Sequence, residues 1–218
     1  MRKILHVGLG KTATTFFQQE IIPILIKNGI IADIDDEQER LLRILELSIY
    51  DDYPIKNIDI WHENNKQIPS LLSYEGLAGG DPGRFEKCFL HLSKCFSSDV
   101  EILISIRDPI DWCKSQYIQI LQMGHIITPN EYFIKDSDPR SLVANQFPYP
   151  TSLRYDVLDY QSLVNMYNSY FSKVYILPMS LMTCPLRFSE SIQLIDSKNL
   201  EKVTLLKTYS KRINEIPI

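Results

Sequence analysis

Glycines, threonines and a lysine gather in one short stretch near the N-terminus, which reads HVGLGKTATTF from His6 to Phe16. It joins an apolar run to the start of an amphipathic helix. Backbone N–H groups and the macrodipole attract anions at such a helix start, while Lys11 adds a full positive charge and the threonines add hydroxyl donors. The stretch therefore predicts a phosphate-binding turn built from Gly8, Gly10, Lys11, Thr12, Ala13, Thr14 and Thr15. Taken alone, it also suits a plain corner in which Thr12 caps the helix.

The turn lacks the spacing of a Walker A loop. If Gly10-Lys11-Thr12 closed such a loop, its first glycine would stand at position 5, which is Leu5. The spacing therefore disfavours an ordinary ATP-binding loop.

A second stretch, SIRDPIDWCKSQY, follows another apolar run. Arg107 stands at the end of that run and Ser115 lies eight residues later, on the second turn of a helix that Pro109 is expected to start. Arginine offers a planar fork and serine a neutral donor for one phosphate. The alternative is a surface ion pair of Arg107 with Asp108 or Asp111, with Ser115 on a solvated helix face.

The elements that must position these residues alternate along the chain. Apolar runs predict strands over Lys3–Val7, Ile68–Tyr74, Val100–Ile106 and Val174–Leu177. Between them, periodic patterns predict helices over Thr12–Gly29, with a kink at Pro23, and over Asp35–Leu47, Asp81–Phe96, Pro109–Met123 and Tyr160–Phe171. The run VEILISI is apolar at nearly every residue, as in buried parallel strands. The order predicts an α/β fold with a mostly parallel central sheet flanked by helices.

The composition of the chain excludes several classes of protein. A chain of 218 residues with 44% hydrophobic and 23% charged residues suits a single globular domain over 1–218. A net charge of −4 argues against nucleic acid as the partner. No apolar run is long enough to span a membrane and no signal-peptide pattern is present, so we expect a cytoplasmic protein. The four cysteines and four histidines show no metal-ligand spacing, and no pattern indicates an oligomeric state.

The two stretches together resemble the sulfotransferase family that uses 3′-phosphoadenosine 5′-phosphosulfate. The string Gly10-Lys11-Thr12-Ala13-Thr14-Thr15 is similar to that family's 5′-phosphosulfate loop, with Gly10 in place of a proline and Ala13 in place of a glycine. Arg107, Pro109 and Ser115 match the spacing of its 3′-phosphate motif. The resemblance covers Leu5–Phe17 and Ile102–Gly124 clearly, and Leu153–Pro178 more weakly. If position 13 is left-handed, alanine there costs about 1–2 kcal/mol.

The resemblance implies a P-loop-like sulfotransferase fold, this nucleotide as co-substrate and no metal. Lys11 would stabilise the bridging oxygen, and Thr14 and Thr15 would hold the 5′-phosphate. Arg107 and Ser115 would hold the 3′-phosphate.

For the base that accepts the acceptor's proton, the sequence offers Glu75. It follows a predicted strand that should end at the same sheet edge as the turn, and it resembles the catalytic glutamate of carbohydrate-type sulfotransferases. That resemblance favours a sugar hydroxyl as acceptor, on a glycan or a small molecule. The alternative is a loop carboxylate without a catalytic task. His6 is a poorer base, since its place in the first strand predicts a packed core imidazole.

Two other functions fit parts of the sequence. A P-loop kinase of small molecules would need a magnesium ligand at a strand end, and Asp108 is a weak candidate. A nucleotide-binding protein without catalysis is the second. Aromatic residues that could stack on sugar rings are Tyr74, Trp112, Tyr117, Tyr132, Phe133, Phe147 and Tyr149, although most are expected to be core.

Overall fold

A four-stranded parallel sheet forms the centre of the molecule. The structure is a computed structural model that describes residues 2–50, 60–61, 68–135, 137–138 and 152–194. Its strands are β1 (Lys3–His6), β2 (Ser70–Ser73), β3 (Glu101–Ile106) and β6 (Lys173–Pro178), in the order β2-β1-β3-β6. All neighbouring pairs are parallel. The predicted parallel α/β sheet is confirmed.

Helices cover both faces of the sheet, which explains why its strands are apolar at successive residues. Leu5 and Ile102 face one hydrophobic cluster, while Ile4 and Leu103, their chain neighbours, face another. The first cluster is completed by α3 (Asp36–Tyr50), α4 (Phe85–Cys95) and α7 (Tyr160–Asn168). The second is completed by the helical segment that follows β1 and by α8 (Met179–Met182) and α9 (Pro185–Ser191). Strands covered on both sides need no polar alternation.

The helical segment after β1 contains a wider turn. It begins as α1 (Thr14–Phe16), continues as a π-helical turn over Phe17–Ile21 and ends as α2 (Ile22–Lys27). The Ile22 N–H donates to the Phe17 carbonyl, five residues back. Pro23 has no N–H and would crowd the carbonyl four residues before it in a regular helix. The wider turn accommodates the proline where the sequence predicted a kink.

The chain after β3 forms α5 (Pro109–Gln122), whose first turn is capped by the Asp108 carboxylate. It is followed by α6 (Pro129–Tyr132) and by a two-stranded parallel pair, β4 (Phe133–Ile134) and β5 (Leu153–Arg154). A buried ion pair between Asp81 and Arg154, with an oxygen–nitrogen distance of 2.5 Å, fastens this pair to the turn before α4. These short elements were not predicted, because two-residue strands carry no periodicity.

Predicted element bounds differ from the observed ones by a few residues. The predicted helix Asp81–Phe96 divides into a 3₁₀ turn, Pro82–Arg84, and α4, since Asp81 accepts from the Gly83 N–H and Pro82 starts a tight turn. Most of residues 51–66, and all of residues 139–151, lie outside the described residues. No helix in the described part of the chain is both long and apolar enough to cross a bilayer.

Candidate functional site

The two predicted phosphate-binding stretches meet at one edge of the sheet. Because the strands are parallel, β1, β2 and β3 all end at the same edge. The turn after β1 lies in the middle, with Glu75 after β2 on one side and Arg107 after β3 on the other. Nη1 of Arg107 lies 3.4 Å from the Lys11 carbonyl oxygen and donates to it. The segments are 96 positions apart in sequence, yet they are in direct contact.

The turn itself has an unusual backbone. Lys11 and Ala13 both adopt left-handed conformations with φ of 65°, and Ala13 immediately precedes α1. A left-handed backbone costs about 1–2 kcal/mol at a residue with a Cβ. The expectation that a left-handed alanine would be strained therefore applies at position 13. Such strain is characteristic of functional loops, whose surroundings hold the backbone in place.

Helix α5 supports the turn from the side of β3. The indole N–H of Trp112, which is fully buried, donates to the Gly10 carbonyl at 2.7 Å. The same helix carries Ser115, which is half-buried on its second turn. Trp112 was considered as a sugar-stacking face, but its burial makes it a support for the turn instead.

Glu75 closes the other side of the turn. Its Oε2 accepts a 2.6 Å hydrogen bond from the Thr14 hydroxyl. Its Oε1 lies against Gly10 so closely that a Cβ there would stand 2.8 Å from that oxygen. Glycine at position 10 thus lets the carboxylate approach the turn, whereas a larger residue would displace it.

Beneath the turn lies a chain of buried polar side chains. His6 Nδ1 is 2.7 Å from the Ser73 hydroxyl, and His6 Nε2 is 3.0 Å from the Ser105 hydroxyl. The Gln18 amide donates to Ser73, to both its carbonyl and its hydroxyl oxygen. The His6 imidazole therefore connects β1 with β2 and β3. Ser73 extends this connection to the helical segment after β1.

The donor and acceptor in each of these hydrogen bonds can be assigned by starting from Thr12. The Thr12 hydroxyl donates to the Leu9 carbonyl at 2.6 Å, so the contact of Thr12 with Ser105, also 2.6 Å, must be donated by Ser105. Ser105 has one hydroxyl hydrogen and so accepts from Nε2–H of His6, which leaves Nδ1 to accept from Ser73. All bonds run in one direction, toward the turn.

This arrangement requires a neutral His6. The side chain is fully buried, and burial lowers its pKa from 6.5 to about 3. An imidazolium would carry hydrogen on both nitrogens and would turn the Ser73 hydroxyl away from Nδ1. The packed core imidazole that the sequence predicted is found, and its structural task is to hold the turn.

A cavity of about 1200 Å³ opens beside the turn. Lys11, Thr15 and Glu75 line it, together with residues of α2, α3 and α5. Tyr74 and Tyr132 also line it, so two of the seven aromatic candidates reach this space. Phe147 and Tyr149 lie outside the described residues.

The predicted site residues occupy different positions in this arrangement. Thr15 is exposed on the cavity, whereas Thr12 is buried with its hydroxyl turned to Leu9 and Ser105. Gly8 is buried at the end of β1. Sequence reasoning missed Gln18, Ser73 and Ser105. Two serines within otherwise apolar strands were the signal, since buried hydroxyls require partners.

Within the described residues, no three His, Cys, Asp or Glu side chains come together in the way that a metal ion requires. No protein-family model matches the chain, and no curated protein matches it. Among solved structures, the fold is similar to that of a sulfotransferase from Alicyclobacillus acidocaldarius. The TM-score is 0.57 over 99% of this chain and 94% of that chain, at 11% sequence identity. This similarity shows that the chain has a sulfotransferase-like fold.

Proposed function

We propose that this protein transfers a sulfuryl group from 3′-phosphoadenosine 5′-phosphosulfate to an acceptor hydroxyl, most suitably on a carbohydrate. The observation that carries the proposal is the meeting of Arg107 with the turn at Lys11, 3.4 Å from guanidinium nitrogen to carbonyl oxygen. A nucleotide with phosphates at both its 3′ and 5′ positions needs two anion sites, and the distance between them must not exceed the length of the nucleotide. Glu75, on the opposite side of the turn, then faces the sulfuryl end.

The proposal assigns roles to individual residues of the site. Lys11 and Thr15, with the N–H groups at the start of α1, bind the 5′-phosphosulfate. Arg107 and Ser115 bind the 3′-phosphate, and Arg107 in addition fixes the turn through the Lys11 carbonyl. Thr14 reaches the 5′-phosphate by exchanging Glu75 for a phosphate oxygen.

The reaction needs an in-line approach, a neutralised leaving group and a proton acceptor. Glu75 accepts the hydroxyl proton while a bond forms from the acceptor oxygen to sulfur. The bond from sulfur to the bridging oxygen breaks, and the Lys11 ammonium offsets the charge left on the 5′-phosphate. No step is assigned to a metal. We place this activity in one domain over residues 1–218, acting in the cytoplasm.

The kinase alternative has less support from the site. The Asp108 carboxylate accepts from the N–H groups of Ile110 and Asp111, at 3.0 and 3.1 Å, and so is used as the cap of α5. It points into its own helix and is poorly placed as a magnesium ligand.

Thermal unfolding with adenosine 3′,5′-bisphosphate, compared with ATP and magnesium, tests the proposal. A ligand at one hundred times its Kd stabilises the native state by about 2.7 kcal/mol, which raises the Tm of a domain of this size by roughly 5–10 °C. We expect that rise with the bisphosphate, and transfer of labelled sulfuryl groups in the presence of EDTA. A rise with ATP and magnesium alone would favour the kinase. Bisphosphate binding without transfer to any of a glycan panel would favour a non-catalytic protein.

A further inference from the structure

The cavity beside the turn lies on the side of Lys11 where the acceptor must enter. Lys11 and Glu75 both line it, together with residues of α2, α3 and α5. Neither Arg107 nor Ser115 is among the described residues that line it. Apart from Gly10, Lys11 and Thr15, its lining consists of residues that have no part in the proposed nucleotide site, so these walls are available to the acceptor.

Negative charge predominates on these walls. Beyond Lys11, the only basic side chains among the described lining residues are Arg40 and Arg43. Five carboxylates line the same space: Asp33, Asp36, Glu39, Glu46 and Glu75. Arg40 also pairs with Glu37, at 3.8 Å, outside the lining. A cleft with one predominant sign of charge concentrates ligands of the opposite sign.

Glu46 is the carboxylate best placed to contact an acceptor that reaches Glu75. It packs against Gly76, the residue after Glu75, so closely that a Cβ at Gly76 would lie 1.8 Å from its Oε1. The Tyr74 hydroxyl hydrogen-bonds to it, which fixes its direction. Burial raises the pKa of Glu46 and the negative charge of Glu75 adds to that rise, whereas the hydrogen bond from Tyr74 and the positive charge of Arg43 lower it. A further cation beside Glu46 and Glu75 would favour the charged form of both carboxylates.

Part of the cavity lining is apolar. Ile22, Pro23 and Ile26 of the helical segment after β1 line the cavity, as do Leu42 and Leu47 of α3. Such surfaces pack against the C–H faces of a sugar ring while polar groups at the edge fix its orientation. A volume of about 1200 Å³ exceeds that of most pockets for small ligands, so more than one ring can enter.

From this juxtaposition we infer that the acceptor is a carbohydrate with free amino groups, whose ammonium binds Glu46 and its neighbours on α3 while a ring hydroxyl faces Glu75. This inference rests on the proposed function and specifies its acceptor. The ammonium is held by charge and the hydroxyl oxygen is the nucleophile. The products are an O-sulfated amino sugar and adenosine 3′,5′-bisphosphate. Glu75 takes up the proton of the acceptor hydroxyl, so all atoms are accounted for.

The same walls disfavour acidic acceptors. A uronate or an already sulfated sugar would place its charge against carboxylates, and like charges at close range are costly. The preferred order of acceptors is therefore amino sugar, neutral sugar, acidic sugar.

A matched acceptor series tests the inference. The probes are a glucosamine trisaccharide, its fully N-acetylated form and a galacturonate trisaccharide, with kcat/KM measured by transfer of labelled sulfuryl groups. We expect kcat/KM to be at least tenfold higher for the free amine than for the N-acetylated form, and lowest for galacturonate. The preference should shrink as salt rises from about 0.05 to about 0.5 M, because screening weakens charge pairs. Mass spectrometry should find sulfate on oxygen, with the amine retained.

The variant Glu46→Gln keeps an acceptor for the Tyr74 hydroxyl but removes the charge. It should bring the ratio of amine to N-acetyl kcat/KM close to one. Glu20→Gln is the matched control, since Glu20 is exposed and does not line the cavity, and it should leave that ratio unchanged. Equal or better use of the N-acetylated or acidic sugar by the unchanged protein would overturn the inference while leaving sulfuryl transfer intact. Absence of adenosine bisphosphate binding would overturn the inference together with the proposed function.

Discussion

The hydroxyl of Thr14 donates to Oε2 of Glu75 across 2.6 Å. The two residues belong to different halves of the proposed reaction, since one is expected to bind phosphate and the other to accept a proton. They cannot both act while they remain joined through this hydrogen. In the proposed reaction we therefore expect the nucleotide to compete with Glu75 for the Thr14 hydroxyl and to release the carboxylate for the acceptor.

Thr14→Val keeps the shape of the side chain and removes the hydroxyl. We expect it to weaken adenosine 3′,5′-bisphosphate binding about 10–150-fold, because a hydrogen bond to a charged group contributes about 1.5–3 kcal/mol. Isothermal titration measures the change. Thr14→Ser, which restores the hydroxyl, should bind within about threefold of the unchanged protein. Equal losses in both variants would assign the effect to packing of the Thr14 methyl group.

Glu75→Gln should separate binding from turnover. The amide can still accept from Thr14 but cannot take up the acceptor's proton, so we expect the transfer rate to fall about 10²–10⁴-fold with bisphosphate affinity preserved. Glu86→Gln, an exposed position on α4, is the control. Turnover at the unchanged rate would remove Glu75 from the mechanism.

Lys11→Ala and Arg107→Ala should each reduce affinity for the bisphosphate by about 10–100-fold, since each removes a charge-assisted contact with a phosphate. Titration with 5′-AMP distinguishes them, because that ligand lacks the 3′-phosphate. Arg107→Ala should affect the bisphosphate much more than 5′-AMP, whereas Lys11→Ala should affect both. Lys114→Ala is the control, because this exposed lysine of α5 lies 3.7 Å from Asp111. An Arg107→Ala protein with undiminished affinity for the bisphosphate would refute the nucleotide assignment.

The buried imidazole of His6 predicts how stability depends on pH. Its pKa is about 3 in the folded protein and takes the ordinary value of 6.5 once the chain unfolds, so between these values only the unfolded chain binds the proton. The contribution to stability is complete above pH 6.5. Below that pH it falls by about 1.4 kcal/mol per pH unit, or by about 2 kcal/mol at a pH of about 5.

Urea unfolding of the unchanged protein and of His6→Asn, at a pH of about 7.5 and of about 5, measures this slope. The variant should be less stable at both values because the buried hydrogen-bond chain is broken. Unfolding of the variant should nevertheless take up about one proton fewer, so its free energy of unfolding should depend less on pH. His125→Asn, at an exposed position after α5, should keep the slope of the unchanged protein. Parallel slopes for His6→Asn would show that His6 does not titrate in the unfolding equilibrium over this range.

Ala13→Gly should stabilise the fold. The left-handed backbone at position 13 costs alanine about 1–2 kcal/mol, whereas glycine adopts it freely and loses about 0.5–1 kcal/mol in chain entropy. We expect a net gain of up to about 1 kcal/mol and a Tm rise of roughly 2–4 °C. A fall in Tm would show that the methyl group contributes packing worth more than the strain.

The sequence was sufficient to predict the parallel sheet and the two stretches that meet at its edge, because both depend on local patterns. Runs such as VEILISI indicate strands covered on both faces, and the ends of parallel strands share one edge. That Glu75 would lie beside the turn followed from the same argument. The detail that the carboxylate would bond to Thr14 did not follow, because it depends on the side-chain space left at Gly10.

The cavity walls could not be predicted in the same way. Glu46 lies on a helix whose charged residues are typical of any solvated helix face, and only its packing on Gly76 distinguishes it. His6 was recognised as a core residue, yet its partners Ser73 and Ser105 come from strands far apart in sequence. Pairing of that kind depends on sheet register, which local sequence does not contain.

The wider turn at Phe17–Ile21 makes the helical segment after β1 a two-part element. Residues before it belong to α1, which follows the predicted phosphate-binding turn, and residues after it, from Ile22 onward, form an apolar part of the cavity wall. Loss of a single residue within Phe17–Ile21 would convert the π turn to regular α-helix and rotate everything beyond it by about 100°. Relatives that differ by one residue at this point would keep the same turn before α1, while a different set of side chains would line the cavity. Specificity can thus evolve by insertion or deletion here, without any substitution among the residues that bind phosphate.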